Sequence, residues 1–295
     1  MKSLSPDQVQ AVVREACNAD VQAFKPGNVS VDSAGHRMQA EHFLHSADLV
    51  APVLARPDLT VGQRIEQAVD LTMAQVGCNT NLGIVLLLAP LAQAALLRFS
   101  TDDFQERLGR VLRALTQTDA AAAYRAIRQA SPAGLGHHSQ QDVGMEPEVT
   151  LLEAMQLAAD RDQIARQYAQ DYADIFTLGV TALKEGWARG WGREWGAVAC
   201  YLAFLSRIPD THICRKYGRE VAEMVRQEAA GVETDFKACE NSTTAYNKLL
   251  SFDNKLKQGG YNPGTSADLT VASWTACRLQ TFLKEAPSHD GGGHK

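Results

Sequence analysis

The chain has 295 residues, 45% of them hydrophobic, with a formal net charge of −5 and 29 lysines and arginines that form no basic block. This length and apolar content suffice for a substantial hydrophobic core, and the charge pattern excludes a nucleic-acid-binding face. Six scattered cysteines without C-x-x-C spacing, and an N-terminus without signal-like composition, predict free thiols in a reducing cytoplasm.

Apolar residues recur at three- and four-residue spacing along most of the chain, as in amphipathic helices. Ser5-Pro6-Asp7-Gln8 and Thr150-Leu151-Leu152-Glu153 have the form of a capping box, in which a hydroxyl and a side chain three residues later close a helix start. Together these signals predict helices that begin near Ser5, Glu41, Val61, Leu82, Asp102, Asp119, Leu151, Asp162, Arg193, Arg215, Glu233 and Ser266.

No segment alternates polar and apolar residues as a half-buried strand does, so the sequence predicts an all-α fold. We expect a single compact multi-helix domain over residues 1–286, with polar inter-helix loops forming a central site, and a disordered glycine-rich tail over residues 287–295. Apolar helix faces can pack within one subunit or between two, which leaves a monomer and a homodimer both open.

The longest apolar run, Leu82 to Leu97, contains Pro90 and is shorter than the roughly 20 residues that a membrane span needs. It predicts a buried helix that is bent or interrupted near Pro90, and no membrane partner. The long irregular stretch over residues 131–147 is typical of a functional loop, and we interpret it as a lid.

Four polar segments between the helices carry side chains that can bind a ligand. In the first, Lys25-Pro26-Gly27-Asn28, a turn holds one cation that either meets a phosphate or remains a solvated turn lysine. The second, Asn79-Thr80-Asn81, precedes the apolar run, and buried amides need partners. Ligand binding and helix capping by Asn81 or Thr80 both satisfy that need.

The third segment, Asp210-Thr211-His212, is followed by Arg215-Lys216, a mixture of acid, imidazole and cations that suits a phosphorylated substrate. An ordinary helix start with a basic solvent face is the alternative. The fourth, Asn262 to Asp268, breaks the chain at Pro263-Gly264 before a helix that Thr265 or Ser266 can cap. Its backbone N–H groups can hold an anion, and Asp268 is either functional or a helix-start acid favoured by the dipole.

In this order along the chain, the four segments resemble those of the triphosphoribosyl-dephospho-CoA synthase family. Lys25-Pro26-Gly27 is similar to the family's K-P-G turn, and Asn79-Thr80 with Gly83 is similar to its N-T-H-K-G motif. Asp210-Thr211 with Lys216 and Gly218 is similar to its D-T-N…R-G-G segment, and Pro263-Gly264 with Ser266-Ala267-Asp268 is similar to its S-P-G-G-S-A-D-L signature. Asn81-Leu82 stand in place of the family's His-Lys, His212 in place of Asn, Lys216 in place of Arg and Tyr217 in place of Gly. The chain thus resembles a divergent branch.

The resemblance implies an all-α transferase that moves a triphosphoribosyl group from ATP to a ribose hydroxyl of dephospho-CoA and releases adenine. Such a bond cleavage passes through an oxocarbenium-like state, which a carboxylate stabilises while a second acid or base takes the hydroxyl proton. We assign these roles to Asp210 and Asp268, with Mg²⁺ at Asp210. The predicted substrate- and phosphate-binding residues are Lys25, Gly27, Asn28, Asn79, Thr80, Asn81, Thr211, His212, Arg215, Lys216, Asn262, Gly264 and Ser266.

Two alternatives remain at this stage. The first is a related phosphoribosyl-type transfer in the biosynthesis of a pterin-type one-carbon carrier. The second is a non-catalytic helical protein that binds nucleotides, since Asn81-Leu82 lack the family's cation. Turnover of ATP separates the two transferase functions from the non-catalytic binding protein. The identity of the acceptor separates the two transferase functions from each other.

Overall fold

The computed structural model describes residues 2–31, 40–99, 101, 103–132 and 142–285. In these ranges the regular structure is helical, and an isolated β-bridge pairs Lys2 with Phe99. The all-α prediction is confirmed. The predicted tail, residues 287–295, and residues 133–141 of the predicted lid lie outside the described ranges.

Fourteen α-helices and one π-helical segment follow one another through these residues. The helices are α1 (Pro6–Gln22), α2 (Ala40–Leu54), α3 (Val61–Val76), α4 (Leu82–Leu96), α5 (Phe104–Arg113), α6 (Gln117–Ala130), α7 (Leu151–Ala158), α8 (Gln163–Ala169), α9 (Val180–Ala188), α10 (Glu194–Arg207), α11 (Thr211–Tyr217), α12 (Arg219–Ala238), α13 (Ser242–Gln258) and α14 (Gly264–Glu285). The π-helical segment, Ile175–Gly179, leads directly into α9.

Local sequence signals start several of these helices as predicted. The Ser5 hydroxyl accepts the N–H of Gln8 at 3.2 Å, and the Gln8 side chain accepts the N–H of Ser5 at 2.9 Å. Thr150 and Glu153 close the same reciprocal box at the start of α7. Each such cap is worth about 1 kcal/mol, because it satisfies helix-end donors that have no partner in the helix.

The apolar run forms α4, which continues through Pro90 without the interruption that we expected as one outcome. Proline has no N–H to give to the carbonyl four residues earlier, so Leu86 loses its helical donor. The buried Tyr168 hydroxyl donates to that carbonyl oxygen at 2.5 Å, and the Tyr172 hydroxyl donates to the next one, Leu87, at 3.0 Å. The Tyr168 hydroxyl therefore replaces the donor that the Leu86 carbonyl loses, and Tyr172 adds a hydrogen bond at the next carbonyl.

The second half of the chain contains helices that the pattern missed or misplaced. The π-helical segment and α9 were not predicted, and α11 begins at Thr211 rather than near Arg215. The helix expected near Glu233 is the C-terminal part of α12, and α13 follows it as a separate element. Asn241 caps α13 by accepting the N–H of Thr244, a start signal that was present in the sequence.

The last helix, α14, lies at the centre of the fold and packs against α1, α4, α10 and the π-helical segment. Its residues are buried on most faces, and the buried hydroxyls of Thr270, Ser273 and Thr275 donate to carbonyl oxygens four residues earlier in the same helix. This placement brings the beginning of α14 next to the beginnings of α4 and α11. In the part of the chain described, no helix combines the length and the hydropathy needed to cross a membrane.

Candidate active site

A cavity of about 580 Å³ is lined by residues of α1, α4, α6, α7, α8, α11 and α14 and of the turns before them. The four polar segments, which are far apart in sequence, all contribute to its wall. The predicted site residues that line it are Asn28, Asn79, Thr80, Asn81, His212, Arg215, Asn262, Gly264 and Asp268. The other predicted residues, Lys25, Gly27, Asp210, Thr211, Lys216 and Ser266, lie outside the lining.

Asp268 is the carboxylate from α14 that faces this cavity, where it rests against the backbone of Gly83 in α4. A Cβ atom added at Gly83 would lie 2.6 Å from Asp268 Cγ, so only glycine leaves room for the carboxylate there. No described residue donates a hydrogen bond to it. Burial, followed by the negative charges of Asp20 and Asp210, raises the pKa of Asp268 well above its usual range. A carboxylate whose pKa is raised is a stronger proton acceptor than an ordinary one.

Asp210 is buried at the start of α11 and does not line the cavity. Its Oδ1 accepts the N–H groups of His212 at 2.9 Å and Ile213 at 3.2 Å. Its Oδ2 accepts the N–H of Ser266 at 2.7 Å and the Ser266 hydroxyl at 2.8 Å. Because each oxygen already accepts two hydrogen bonds, this placement does not fit the predicted catalytic role of Asp210 or its predicted Mg²⁺ site.

The described residues offer no other metal-binding cluster in place of Asp210. In the described ranges, no three side chains of histidine, cysteine, aspartate or glutamate are grouped as metal ligands.

The joint between α11 and α14 also uses Thr211 and Ser266, two predicted ligand-binding residues. The hydroxyls of Thr211 and Thr265 lie 3.1 Å apart, and both side chains are buried. Ser266 donates twice to Asp210, as described above. These groups hold the two helix starts together beside the cavity, and their hydrogen bonds point away from a ligand.

Lys25 is buried with only 1% of its surface exposed, and its ammonium group lies 3.0 Å from the carboxylate of Asp20. It also donates to the backbone oxygen of Asp20. The prediction of a phosphate-binding lysine does not fit this placement, because the ammonium group is buried, pairs with Asp20 and does not line the cavity. Asp20, which the sequence did not single out, lines the cavity instead.

Gly27 has a structural reason to be glycine, since its φ is +79° and an added Cβ would lie 2.8 Å from Leu256 Cδ1. Its N–H donates to Asp253 Oδ1 at 2.7 Å, which ties the turn to α13. The turn in turn positions Asn28, whose amide donates to Asn262 Oδ1 at 2.9 Å. Asn28 and Asn262 thereby join the first and fourth polar segments across the cavity wall.

The Asn79-Thr80-Asn81 segment caps α4 and lines the cavity at the same time. The cap is Asn79, whose Oδ1 accepts the N–H of Leu82 at 3.1 Å, rather than Thr80 or Asn81. The Thr80 hydroxyl lies 2.6 Å from the Ser46 hydroxyl, and the Asn81 amide donates to Thr72 at 3.2 Å. The three side chains are held rigidly by these bonds.

The cations of the third segment are divided between the cavity and the surface. Lys216 is exposed and lies 5.0 Å from the ring centre of Tyr217, outside the cavity lining. Arg215 lines the cavity, and its Nη1 lies 2.5 Å from Asp162 Oδ2. Arg161, which precedes Asp162 and also lines the cavity, was missed. The available signal was an adjacent pair of opposite charges before a predicted helix start.

One wall of the cavity is largely apolar. It consists of side chains from α6 and from α7, which come together at the described ends of the predicted lid. Its members include Tyr124, Ile127, Ala130, Leu151, Ala154 and Met155. An apolar wall facing polar side chains is typical of sites for small organic ligands that carry a planar ring.

Two comparisons with known proteins match most of the chain. The family model CitG, ATP:dephospho-CoA triphosphoribosyl transferase, matches residues 6–286. A crystal structure of a proposed triphosphoribosyl-dephospho-CoA synthase from Archaeoglobus fulgidus has a TM-score of 0.61 to this chain at 24% identity, and the match covers 80% of this chain and 98% of that one. At that identity the likeness establishes a shared fold. No curated protein sequence matches the chain.

Proposed function

Because the chain belongs to the ATP:dephospho-CoA triphosphoribosyl transferase family, we propose that Asp268 is the group in its cavity that accepts the proton of the attacking hydroxyl. The chain is a transferase that moves the triphosphoribosyl group of ATP to dephospho-CoA and releases adenine. The geometry of the cavity supports specific roles for individual residues in that transfer.

The reaction exchanges one bond at C1′ of the ATP ribose for another. The bond from C1′ to adenine breaks, and adenine leaves with its electron pair. The acceptor hydroxyl forms the new bond to C1′ and loses its proton. That proton passes to Asp268 and then to solvent, while adenine takes a proton from solvent, so the exchange is balanced.

The observation that carries this role is the state of the Asp268 carboxylate. It lies in the cavity against Gly83, accepts no hydrogen bond from the described residues, and has a raised pKa. A base is most effective when its pKa lies close to the working pH, and burial moves a carboxyl group in that direction.

The second negative charge that the transition state needs comes from Asp20 in this proposal. Positive charge develops at C1′ as adenine leaves, and a fixed carboxylate in a water-poor site stabilises it. Asp20 lines the same cavity, and its charge reaches Asp268, whose pKa it raises. Lys25 keeps Asp20 in place and offsets the burial that raises the pKa of Asp20.

The substrate ribose is oriented by the amides of the cavity wall. Asn79, Asn28 and Asn262 line the cavity, and their own hydrogen bonds hold the side chains in position. Pre-oriented amides cost little ordering entropy when a hydroxyl-rich ligand binds.

The test is the Asp268→Asn variant, assayed for adenine released from ATP in the presence of dephospho-CoA. Asparagine keeps the size of the side chain but cannot accept the proton, so we expect kcat to fall about 10²- to 10⁴-fold. The matched control is Asp58→Asn, which makes the same change at a side chain that is 61% exposed on the surface.

Wild-type kcat in a folded Asp268→Asn variant would exclude the proposed role. An increase in KM for ATP with unchanged kcat would instead make Asp268 a binding residue.

A further inference from the structure

We infer that two arginines of the cavity lining, Arg161 and Arg215, bind the 5′-triphosphate of the donor nucleotide. The Arg161 guanidinium donates to the backbone oxygen of Leu157, and Arg215 pairs with Asp162. This inference rests on the proposed function and extends it to the part of the substrate that does not react. It assigns a role to Arg161, for which the sequence predicted no role.

The charge of the cavity lining favours these two side chains. Of the described residues that line the cavity, Arg161 and Arg215 are the two with a permanent positive charge. On the α4 side, Asn81 and Leu82 present an amide and an alkyl chain, and Lys25 is paired with Asp20 behind the wall. A polyphosphate group bound in this cavity therefore has these two guanidinium groups as its cationic contacts. Guanidinium groups suit it, because their planar forks match phosphate oxygens.

The carboxylate of Asp162 holds the guanidinium of Arg215 in position. Asp162 Oδ1 accepts the N–H groups of Ile164 and Ala165 at 2.9 and 3.1 Å, which fixes the carboxylate at the start of α8. Its Oδ2 accepts Arg215 Nη1 at 2.5 Å. Asp162 is thus a positioning residue, and it holds the guanidinium of Arg215 at the edge of the cavity before any ligand arrives.

Arg215 retains a donor that the protein does not satisfy. Its Nε is buried and has no hydrogen-bond partner in the described residues. Buried donors without a partner are rare and need an explanation. An oxyanion at the cavity end of Arg215 would provide the missing acceptor, and the triphosphate of the donor is the polyanion that the reaction brings there.

The position of the arginines also orients the nucleotide. Arg215 is close enough to Asp268 for its charge to lower the pKa of that carboxyl, against the larger effect of burial. Arg161 affects Tyr124 on the apolar wall in the same way. With C1′ at Asp268, the triphosphate extends toward α8 and α11, and the base faces the apolar wall.

Dephospho-CoA also carries a diphosphate, so the experiment must separate the two sources of phosphate. Binding is measured by calorimetry for inorganic triphosphate, ATP, adenosine and dephospho-CoA, with wild type, Arg161→Gln and Arg215→Gln. We expect each variant to raise the Kd for triphosphate and ATP about tenfold to a hundredfold, because a charged hydrogen bond is lost. The Kd for adenosine and for dephospho-CoA should change less than threefold.

Arg166→Gln is the matched control, since Arg166 lies on α8 near Arg161 but does not line the cavity. It should leave every Kd unchanged. The inference is wrong if both cavity variants bind triphosphate as wild type does, if adenosine weakens as much as ATP, or if the loss falls on dephospho-CoA instead of ATP.

Failure of the inference can be distinguished from failure of the proposed function. Wild-type protein that binds triphosphate through these arginines but releases no adenine would refute the function and leave the site intact. Active wild type with an unchanged KM for ATP in both variants would refute the site alone. If Arg215→Gln unfolds, Arg215→Lys keeps the charge and loses the fork, so weaker triphosphate binding in that variant still supports the site and unchanged binding overturns it.

Discussion

Asp210 and Asp268 lie on either side of the first turn of α14, and the fold satisfies them very differently. Asp210 is 2% exposed, and its two oxygens accept four hydrogen bonds from α11 and α14. Asp268 faces the cavity beside Gly83 and accepts none from the described residues. The hydrogen-bonding capacity of Asp210 is filled by the two helix starts that it joins, whereas the carboxylate of Asp268 remains available to a ligand.

The difference shows how two buried acids at adjoining helix starts acquire separate roles. Hydrogen bonds to the ionised form stabilise a carboxylate and remove its capacity for further contacts, whereas burial without such bonds favours the protonated form. Asp210 therefore contributes to stability, and Asp268 is held in a state that costs stability and suits proton transfer.

Removing the Asp210 carboxylate should mainly unfold the protein. Asp210→Ala leaves buried N–H and hydroxyl donors of α11 and α14 without an acceptor, so we expect the free energy of unfolding to fall by roughly 3 to 5 kcal/mol. Urea unfolding followed by circular dichroism measures it. If the variant is as stable as wild type yet inactive, Asp210 belongs with Asp268 in the chemistry, and the comparison breaks down.

Filling the space beside Asp268 should impair catalysis without unfolding the protein. The Cβ of Gly83→Ala would displace the Asp268 carboxylate, so we expect kcat to fall about 10- to 100-fold. Alanine favours helix more than glycine does, so the melting temperature should not drop through helix propensity. The control is Gly231→Ala in α12, where an added Cβ meets nothing within 4 Å and activity should stay at the wild-type level.

The pH dependence of kcat/KM should follow the raised pKa of Asp268. The ionised form is the base, so the rate should rise with pH through that pKa and then level off. Asp20→Asn removes a negative neighbour that raises this pKa, and the rising limb should move to lower pH by about 0.5 to 1 unit.

The surface variant Asp58→Asn should leave the pH profile in place. A profile that is the same in Asp20→Asn and wild type would show that Asp20 does not act on Asp268.

Neutralising Asp268 should make the protein slightly more stable. A carboxyl group whose pKa is raised on folding stabilises the protein when protonated, and that contribution is lost as pH rises through the raised pKa. At neutral pH, Asp268→Asn should thus raise the melting temperature by about 2 °C, and the gain should shrink as pH falls toward the unfolded pKa. Thermal melts of both proteins at several pH values measure the effect. A variant that melts below wild type at neutral pH would mean that the ionised carboxylate is favourably paired.

Much of the fold could be predicted because its signals act over a few residues. The capping boxes at Ser5 and Thr150 close over three residues, and both were predicted correctly. The continuity of α4 could not be predicted, since Pro90 is compensated by Tyr168, whose hydroxyl reaches a carbonyl 82 residues away in sequence. Helices that depend on distant partners therefore escape a local pattern.

The same distinction applies to the site. Composition and turn residues located the four polar segments, but they could not show that Lys25 pairs with Asp20 across the end of α1. Arg161 was missed because its importance depends on the cavity that α7 and α11 form together. A charged residue in a loop has no local feature that distinguishes a ligand contact from a solvated side chain.

The sequence by itself determined the helical class, the helix caps, the turn that needs Gly27 and the segments from which a site can be built. These depend on backbone geometry and on hydrogen bonds between near neighbours. Only the tertiary structure decided which carboxylate remains available, because the donors of Ser266 that satisfy Asp210 lie 56 residues away and reach it through the packing of α11 on α14. Asp268 receives no such donor from the described residues, and its position against Gly83 leaves it facing the cavity.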